Sequence, residues 1–458
     1  MTLMINKNKW ANRLLAIFLA LVVLAKVLHI LPFIYLGIVI VAAAICLGDD
    51  NFRVGTCLLL VPNIRMFDGT TVSFFVNLLI TMPVFLHVLE TRRINFMALC
   101  HVVMLAVWEL AHVFYLNNFD NIAPNLGAVL VLYYIECVLT DRNVKVYFPD
   151  IVRKFSFGCL YSAVVHYIAL AVKSSPKEAW DYVMAWRLQG FAGDPNYFAL
   201  YLCIAASMML IIGDLHKKRD YVYILLLMLA ILLTFSKMSL VILLLNVLYF
   251  SGKTLYNLFS RRNRFVRRIT IICIAAGAVF SSQIVDMINV TLVRLQEHNG
   301  TAVTMDTITS NRARILQFYS NELINHPALL FFGYGLQYNK TPAYTEFFYV
   351  AHNTFLDLML SWGAVGVAMF IFIFYHIFSG IKRSRTHRFR FDEFLPLIIT
   401  CTSFLALSCL SASMFWWIIC AALLPLKGMQ PNESAAYFGN RAGLQHGKIR
   451  LRVRRGAN

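Results

Sequence analysis

Apolar runs bounded by charged or turn-forming residues recur along the chain from Leu14 to Leu426. A hydrocarbon core about 30 Å thick needs about 20 helical residues, so runs of this length read as membrane-crossing helices. They fall at 13–30, 32–47, 54–67, 72–89, 94–116, 122–140, 152–172, 196–213, 221–235, 237–252, 267–284, 351–378, 394–410 and 412–426. Turns near Pro32 and Ser411 split two long apolar blocks. The run at 54–67 is short and interrupted by Pro62, which suits a re-entrant or bundle-buried segment. The pattern turns polar over 173–195 and again over 285–350, a stretch too long for a plain connection and expected to be an ordered subdomain or lid. Within it, residues 312–325 (RARILQFYSNELIN) place Ile315, Phe318, Tyr319 and Leu323 at helical spacing, with Glu322 close to that stripe. The pattern predicts an all-α polytopic membrane protein of about 12–14 transmembrane helices with one long external loop subdomain.

Composition agrees with that pattern. Hydrophobic residues make up 59% of the 458 and charged residues 14%, whereas a soluble domain carries about a quarter charged. The net charge of +18 would suggest nucleic acid in a soluble protein, but here the basic residues fall in every second loop. That is the positive-inside pattern. It removes nucleic acid from the expected partners. With the N-terminus inside, the cytoplasmic loops hold Arg92-Arg93, Arg142 to Lys154, Lys217 to Arg219, Arg261 to Arg268 and Lys382 to Arg390. Both termini are then cytoplasmic, and the tail with Arg450, Arg452, Arg454 and Arg455 lies near anionic lipid heads. Leu14 to Leu28, following Lys7, Lys9 and Arg13, reads as an uncleaved first span. The ten cysteines lie in apolar segments without a C-x-x-C, as small hydrophobes rather than a disulfide frame or metal site.

Few basic residues fall on the expected external side, among them Lys173, Arg187, Lys237, Arg312 and Arg314. Arg312 and Arg314 begin the amphipathic helix, and arginine suits forked hydrogen bonds to phosphate, although a solvated loop arginine is the plainer reading. Lys237, in LTFSKMSL, either snorkels to the interface or faces a polar cavity. Asp194 reads as an N-cap followed by Pro195 and Asn196, at a helix start that points outward. In AHNTFLDLMLSWGAVG (351–366), His352-Asn353 stands where the polar loop ends and an apolar helix begins. Leu356, Leu360, Gly363 and Gly366 follow at helix-like spacing. His352 reads either as an interfacial histidine with a wet tip or as a catalytic base. Asn353 can cap the helix or fix the imidazole tautomer. Inside the membrane, Glu109, His112, His101, Glu136 and His166 read as mutually paired groups. No metal-ligand spacing, P-loop or G-x-G-x-x-G occurs among these motifs.

GDPNYFALYL (193–202), TFSKMSL (234–240), TSNRARILQF (309–318), INHPALLFFGYGLQ (324–337) and HNTFLDLMLSWGAVG (352–366) follow one another along the chain. In that order they resemble the O-antigen ligase and polysaccharide polymerase family of bacterial envelopes. The resemblance covers about 190–380. It divides the chain into an N-terminal transmembrane bundle (1–190), a family-like core with its external loop (191–380), C-terminal helices (381–426) and a basic cytoplasmic tail (427–458). It implies a fold similar to the GT-C glycosyltransferases, an inner-membrane location and an active site on the external face. The expected donor is an undecaprenyl-diphosphate-linked glycan and the acceptor is a second glycan. A flippase and a chain-length regulator are possible partners. The family's loop arginine falls on Arg312, its second basic site on Lys237, where the family commonly carries Ser-Arg, and its histidine on His352.

The expected chemistry is an inverting transfer needing no metal or cofactor. A positioned His352 takes the acceptor proton, a role that contributes roughly 10²–10⁴-fold. Arg312 and Lys237, with Arg314 beside them, hold the diphosphate as it gains charge. Asn353, Asp194 and Asn196 support the site. Polymerase and ligase both fit this chemistry. A transporter or flippase fits less well, because the polar elements gather on one face rather than at the midplane between inverted repeats.

Overall fold

The computed structural model describes residues 2–28, 30, 32–63, 70–116, 122–173, 187–212, 218–236, 239, 242, 312–336, 351–385, 388–409 and 414–428. Among the described residues there are helices and no strands. In chain order they are α1 (Thr2–Leu28), α2 (Pro32–Leu47), α3 (Asp50–Leu60), α4 (Thr70–Thr91), α5 (Phe96–Leu116), α6 (Ile122–Thr140) and α7 (Phe148–Lys173). There follow α8 (Pro195–Ile212), α9 (Lys218–Leu233), α10 (Arg312–Asn325), α11 (Pro327–Phe332), α12 (Thr354–Ser384), α13 (Leu395–Phe404) and α14 (Phe415–Lys427). Five of these contain stretches long and apolar enough to cross a bilayer: Lys7–Ala25, Phe96–Tyr115, Phe148–Ala171, Pro195–Ile212 and Thr354–Ser384. The chain is thus an all-α membrane protein. Apart from Ser239 and Ile242, the runs at 237–252 and 267–284 lie outside the described residues.

The element boundaries follow local chemistry. Helix α6 begins and ends where the apolar run does, and α10 covers the amphipathic stretch 312–325. Helix α1 starts earlier than the apolar run, at Thr2, because no proline or glycine interrupts the polar residues before Leu14. The segment around Pro62 is bundle-buried: every residue from Phe52 to Asn63 is buried. It accepts close backbone approach from α7 at Gly158, where a Cβ would meet Leu59 O at 2.6 Å. The Asn63 amide crosses this contact, donating to Leu59 O at 2.7 Å and to Gly158 O at 3.0 Å. Small residues and polar side chains hold membrane helices together in this way, because lipid supplies no hydrophobic drive between them.

Most helix ends sort into two groups. At one end, hydrogen bonds join the start of α3 to the last turn of α4, the start of α7 to that of α9, and the end of α6 to the ends of α12 and α14. Arg53, wholly buried, forks onto Glu90 at 2.6 and 2.5 Å, and Arg153 onto Asp220 at 3.1 Å. Lys427 Nζ donates to the carbonyls of Val138, Asp141 and Val144. This is the basic end. It gathers Arg142 and Lys382 to Arg390 with the partners just named, as alternating loops require.

The expected pairing among these intramembrane groups holds for one pair: Glu136 bonds His101 Nδ1 at 2.8 Å. Glu109 and His112 do not bond each other in the contacts resolved; both reach the loop segment before α12. Glu109 accepts from Trp362 Nε1 and from Leu336 N, the latter at 3.4 Å. His112 Nδ1 meets Trp108 O at 2.8 Å, and its Nε2 meets Phe332 O at 2.6 Å. The helical spacing of 109 and 112 put them on one face, but the neighbour that arrives at that face decided the partners.

That neighbour exists because α12 is broken. Gly363, read from the sequence as one of an unbroken helical row, has φ 62° and ψ −172°, outside any helix. The break leaves the Leu360 and Ser361 carbonyls without helical partners. Tyr334 N and Gly335 N take them, each at 2.6 Å. Gly333, with φ 73° and ψ −171°, lies against Gly363, and a Cβ there would meet Gly363 N at 2.6 Å. The GYG of residues 333–335 therefore fills the gap in α12, satisfying backbone groups that would otherwise be stranded in an apolar region.

Candidate functional site

The end opposite the basic one collects the motif residues. Two helices start there, α8 at Pro195 and α12 at Thr354, and each is capped from its own sequence. Asp194 Oδ1 accepts from Asn196 N at 2.7 Å and from Tyr197 N at 3.3 Å. Asn353 Oδ1 accepts from Phe355 N and Leu356 N, both at 3.0 Å. The open choice at Asn353 is thereby decided for its oxygen: it caps α12. Both caps satisfy amides that a helix start leaves without partners.

The two helix starts are tied together by the turn after α13. Tyr197 Oη donates to Ser408 O, while Thr354 Oγ1 donates to Leu407 O and accepts from Cys409 N at 3.0 Å. Asp357 is buried, one turn into α12. A crevice of about 10 Å³, room for one water, lies beside this knot, lined by Asn196, Cys203, Ser236, Ser239 and Ser403 among others. Asn196 and Ser236, 40 positions apart in the chain, thus face one space. Lys237, next to Ser236, lies outside the described residues.

Three described non-glycine residues hold a left-handed φ: Arg92 at the basic end and two at this end. His352 has φ 52° and Phe235 has φ 51°, and both are non-glycine residues in the left-handed region. Such a conformation costs of order 1–3 kcal/mol and persists only when its surroundings fix it. Here the surroundings are evident. Ala351, before His352, is buried with Tyr319, Leu323, Tyr334 and Leu360, so helix α10 and the GYG segment pack the approach to α12. His352 itself is half-buried. Behind Phe235, Arg187 Nε donates to Thr234 O at 3.1 Å and Leu188 N to Leu233 O at 2.9 Å, which seals the C-terminal end of α9.

Helix α10 lies on this end with Tyr319 and Leu323 inward and Leu316 and Gln317 outward, as its spacing requires. Burial pushes the Tyr319 phenol up to about 12, with the Asp357 carboxylate adding to the shift. A phenol in that state is a neutral hydrogen-bond donor at any physiological pH. Arg312 and Arg314 fall in the first turn of α10, and their side chains lie outside the described residues.

No protein-family model matches the chain, and no curated protein is significantly similar to it in sequence. The case for a site therefore rests on the residues alone.

Three groups outside the expected site residues are brought in by the fold: Asp357, Arg187 and Tyr197. Asp357 carried a signal, since a carboxylate within an apolar helix marks a functional or paired position. Arg187 was noticed as a scarce basic residue, but its grip on the end of α9 depends on contacts with residues 47 positions away. Tyr197 gave no signal beyond an aromatic in a helix, and its partner Ser408 is 211 positions distant.

Proposed function

We propose that the chain is a membrane glycosyltransferase with a GT-C-like fold. In this reading it polymerises undecaprenyl-diphosphate-linked oligosaccharide repeats into a surface polysaccharide on the outer face of the bacterial cytoplasmic membrane. The observation that carries the reading is the convergence of motifs. Asn196 and Ser236 line one cavity. Thr354, two residues after His352, shares the 407–409 turn with Tyr197. His352 holds a left-handed backbone conformation at that rim. Uncorrelated surface residues have no reason to meet this way, whereas a glycosyl-transfer site needs a base, a diphosphate grip and shape-fixing polar groups in one place.

The chemistry runs as one displacement. An acceptor hydroxyl oxygen attacks the anomeric carbon of the donor as the bond from that carbon to the diphosphate oxygen breaks. His352 receives the hydroxyl proton, and undecaprenyl diphosphate leaves with the bonding electron pair. Arg312, Arg314 and Lys237 meet the negative charge that develops on the leaving diphosphate. Attack opposite the leaving group inverts the anomeric configuration. The left-handed turn at His352 sets the direction in which its side chain leaves the backbone just before the helix start.

The test uses the purified full chain in lipid with an undecaprenyl-diphosphate oligosaccharide, reading product and donor binding separately. Arg312→Ala abolishes transfer and weakens donor binding, Arg312→Lys restores charge without the fork and recovers part, and Lys237→Arg stays active. Full glycan output from Arg312→Ala at matched protein level removes that arginine from the mechanism. In a deletion strain, lipid-linked single repeats accumulate if the chain is a polymerase. Accumulated finished polymer instead makes it a ligase.

A further inference from the structure

The basic end holds a cavity of its own, about 540 Å³, between α5, α6, α12 and the turn after α6. Asn95, Asn143, Ser384, His376, Arg142 and Arg383 line it, together with the carboxylates of Glu136 and Asp141. The two carboxylates are engaged. Glu136 is bonded to His101, and Asp141 Oδ1 accepts from Asn143 N at 2.7 Å and Asn143 Nδ2 at 3.0 Å. The two guanidiniums are not matched in charge. Among the described residues, Arg142 donates to Arg383 O and Arg383 to Ser379 O, and neither meets a carboxylate. Four other arginines of this end do: Arg53 with Glu90, Arg153 with Asp220, Arg385 with Glu393 and Arg390 with Asp392.

The cavity therefore joins two guanidiniums that meet no carboxylate with neutral polar groups and with two carboxylates whose hydrogen bonds go to His101 and Asn143. Phe96 and Met97 flank it on α5 and Tyr375 on α12, and these side chains are 71%, 40% and 67% exposed. Exposed apolar side chains beside a spanning helix face lipid, so an occupant meets charge at its head and hydrocarbon along its body. Paired guanidiniums suit phosphate, since each can fork onto its oxygens. We propose that this cavity is a phosphate-binding site that seats the headgroup of an anionic phospholipid, with Arg142 and Arg383 on the phosphate. It lies at the opposite end of the bundle from the proposed transfer site and does not depend on that reading.

The experiment is native mass spectrometry of the full chain released from micelles holding equal phosphatidylglycerol and phosphatidylcholine. The wild type retains phosphatidylglycerol in preference. Each guanidinium bonded to the phosphate contributes about tenfold through a charge-assisted hydrogen bond, so R142Q/R383Q loses about a hundredfold in phosphatidylglycerol affinity. K7Q/K9Q, which removes the same charge from exposed positions on α1, changes it less than about twofold. Unchanged phosphatidylglycerol binding in R142Q/R383Q overturns the proposal, and so does an equal loss in K7Q/K9Q, which would mean diffuse surface charge. Millimolar inorganic phosphate that binds wild type but not R142Q/R383Q, with no lipid preference in either, makes the cavity a site for free phosphate and overturns the lipid assignment.

Discussion

Replacing Gly363 by alanine distinguishes a continuous α12 from a broken one by the sign of its effect. In a regular helix, glycine to alanine stabilises by about 1 kcal/mol. At φ 62° and ψ −172° the backbone sits where only glycine is comfortable, and alanine there costs about 1–3 kcal/mol. The added Cβ would also meet Phe332 N at 2.6 Å, a backbone atom that cannot rotate away. Residues 331–335 must then retreat, giving up the bonds from Tyr334 N to Leu360 O and Gly335 N to Ser361 O. Each is a net loss of about 1 kcal/mol. The sum is about 3–5 kcal/mol, or about a hundredfold or more in the opening equilibrium of this segment. Amide hydrogen exchange in nanodiscs reads it directly. Peptides covering 329–336 and 356–363 lose protection in Gly363→Ala, while those from α6 and α8 keep theirs. Ala364→Gly, at the next position and in ordinary helical conformation, costs only about 1 kcal/mol. A Gly363→Ala protein that is more stable, or equally protected at 333–336, refutes the break and the docking of the GYG segment.

Three further outcomes follow from the site. His352→Gly relieves the left-handed strain while removing the imidazole, so thermal unfolding stays level or rises slightly, yet sugar transfer falls as far as in His352→Ala; transfer by either variant at wild-type rate dismisses the histidine as base. Asn353→Ala leaves two amides of α12 uncapped and costs about 1 kcal/mol in denaturant melts, whereas Asn353→Asp retains most of the stability; equal loss from both removes the cap as the cause. On a cysteine-free background, a thiol reagent applied from outside the cell reaches Asn299→Cys and not Asn263→Cys, and the reverse pattern inverts the membrane orientation drawn from charge.

What the sequence determined by itself is what neighbouring residues decide. An apolar run of membrane length has one low-energy conformation in lipid, because every backbone group must be satisfied within the segment. Helices α2, α6 and α8 accordingly start and stop within a residue or so of their apolar runs. The cap at Asp194 was legible for the same reason, since it reaches amides only two or three positions onward, whereas at Asn353 the cap was one of two open readings until the structure decided it. The periodicity of 312–325 likewise gave the inward face of α10. Tertiary structure decided whatever depended on distant neighbours. Glu109 found Trp362 across 253 positions and His112 found Phe332 across 220, and helical spacing on α5 carries no information about either. Gly363 reads as helical in an apolar row until another glycine-bearing segment offers amides to the carbonyls it would free. The left-handed turns at Phe235 and His352, the meeting of Asn196 with Ser236, and the unmatched arginines of the basic cavity belong to this class as well. Each is a choice among locally similar energies, and the packing of remote helices makes the choice.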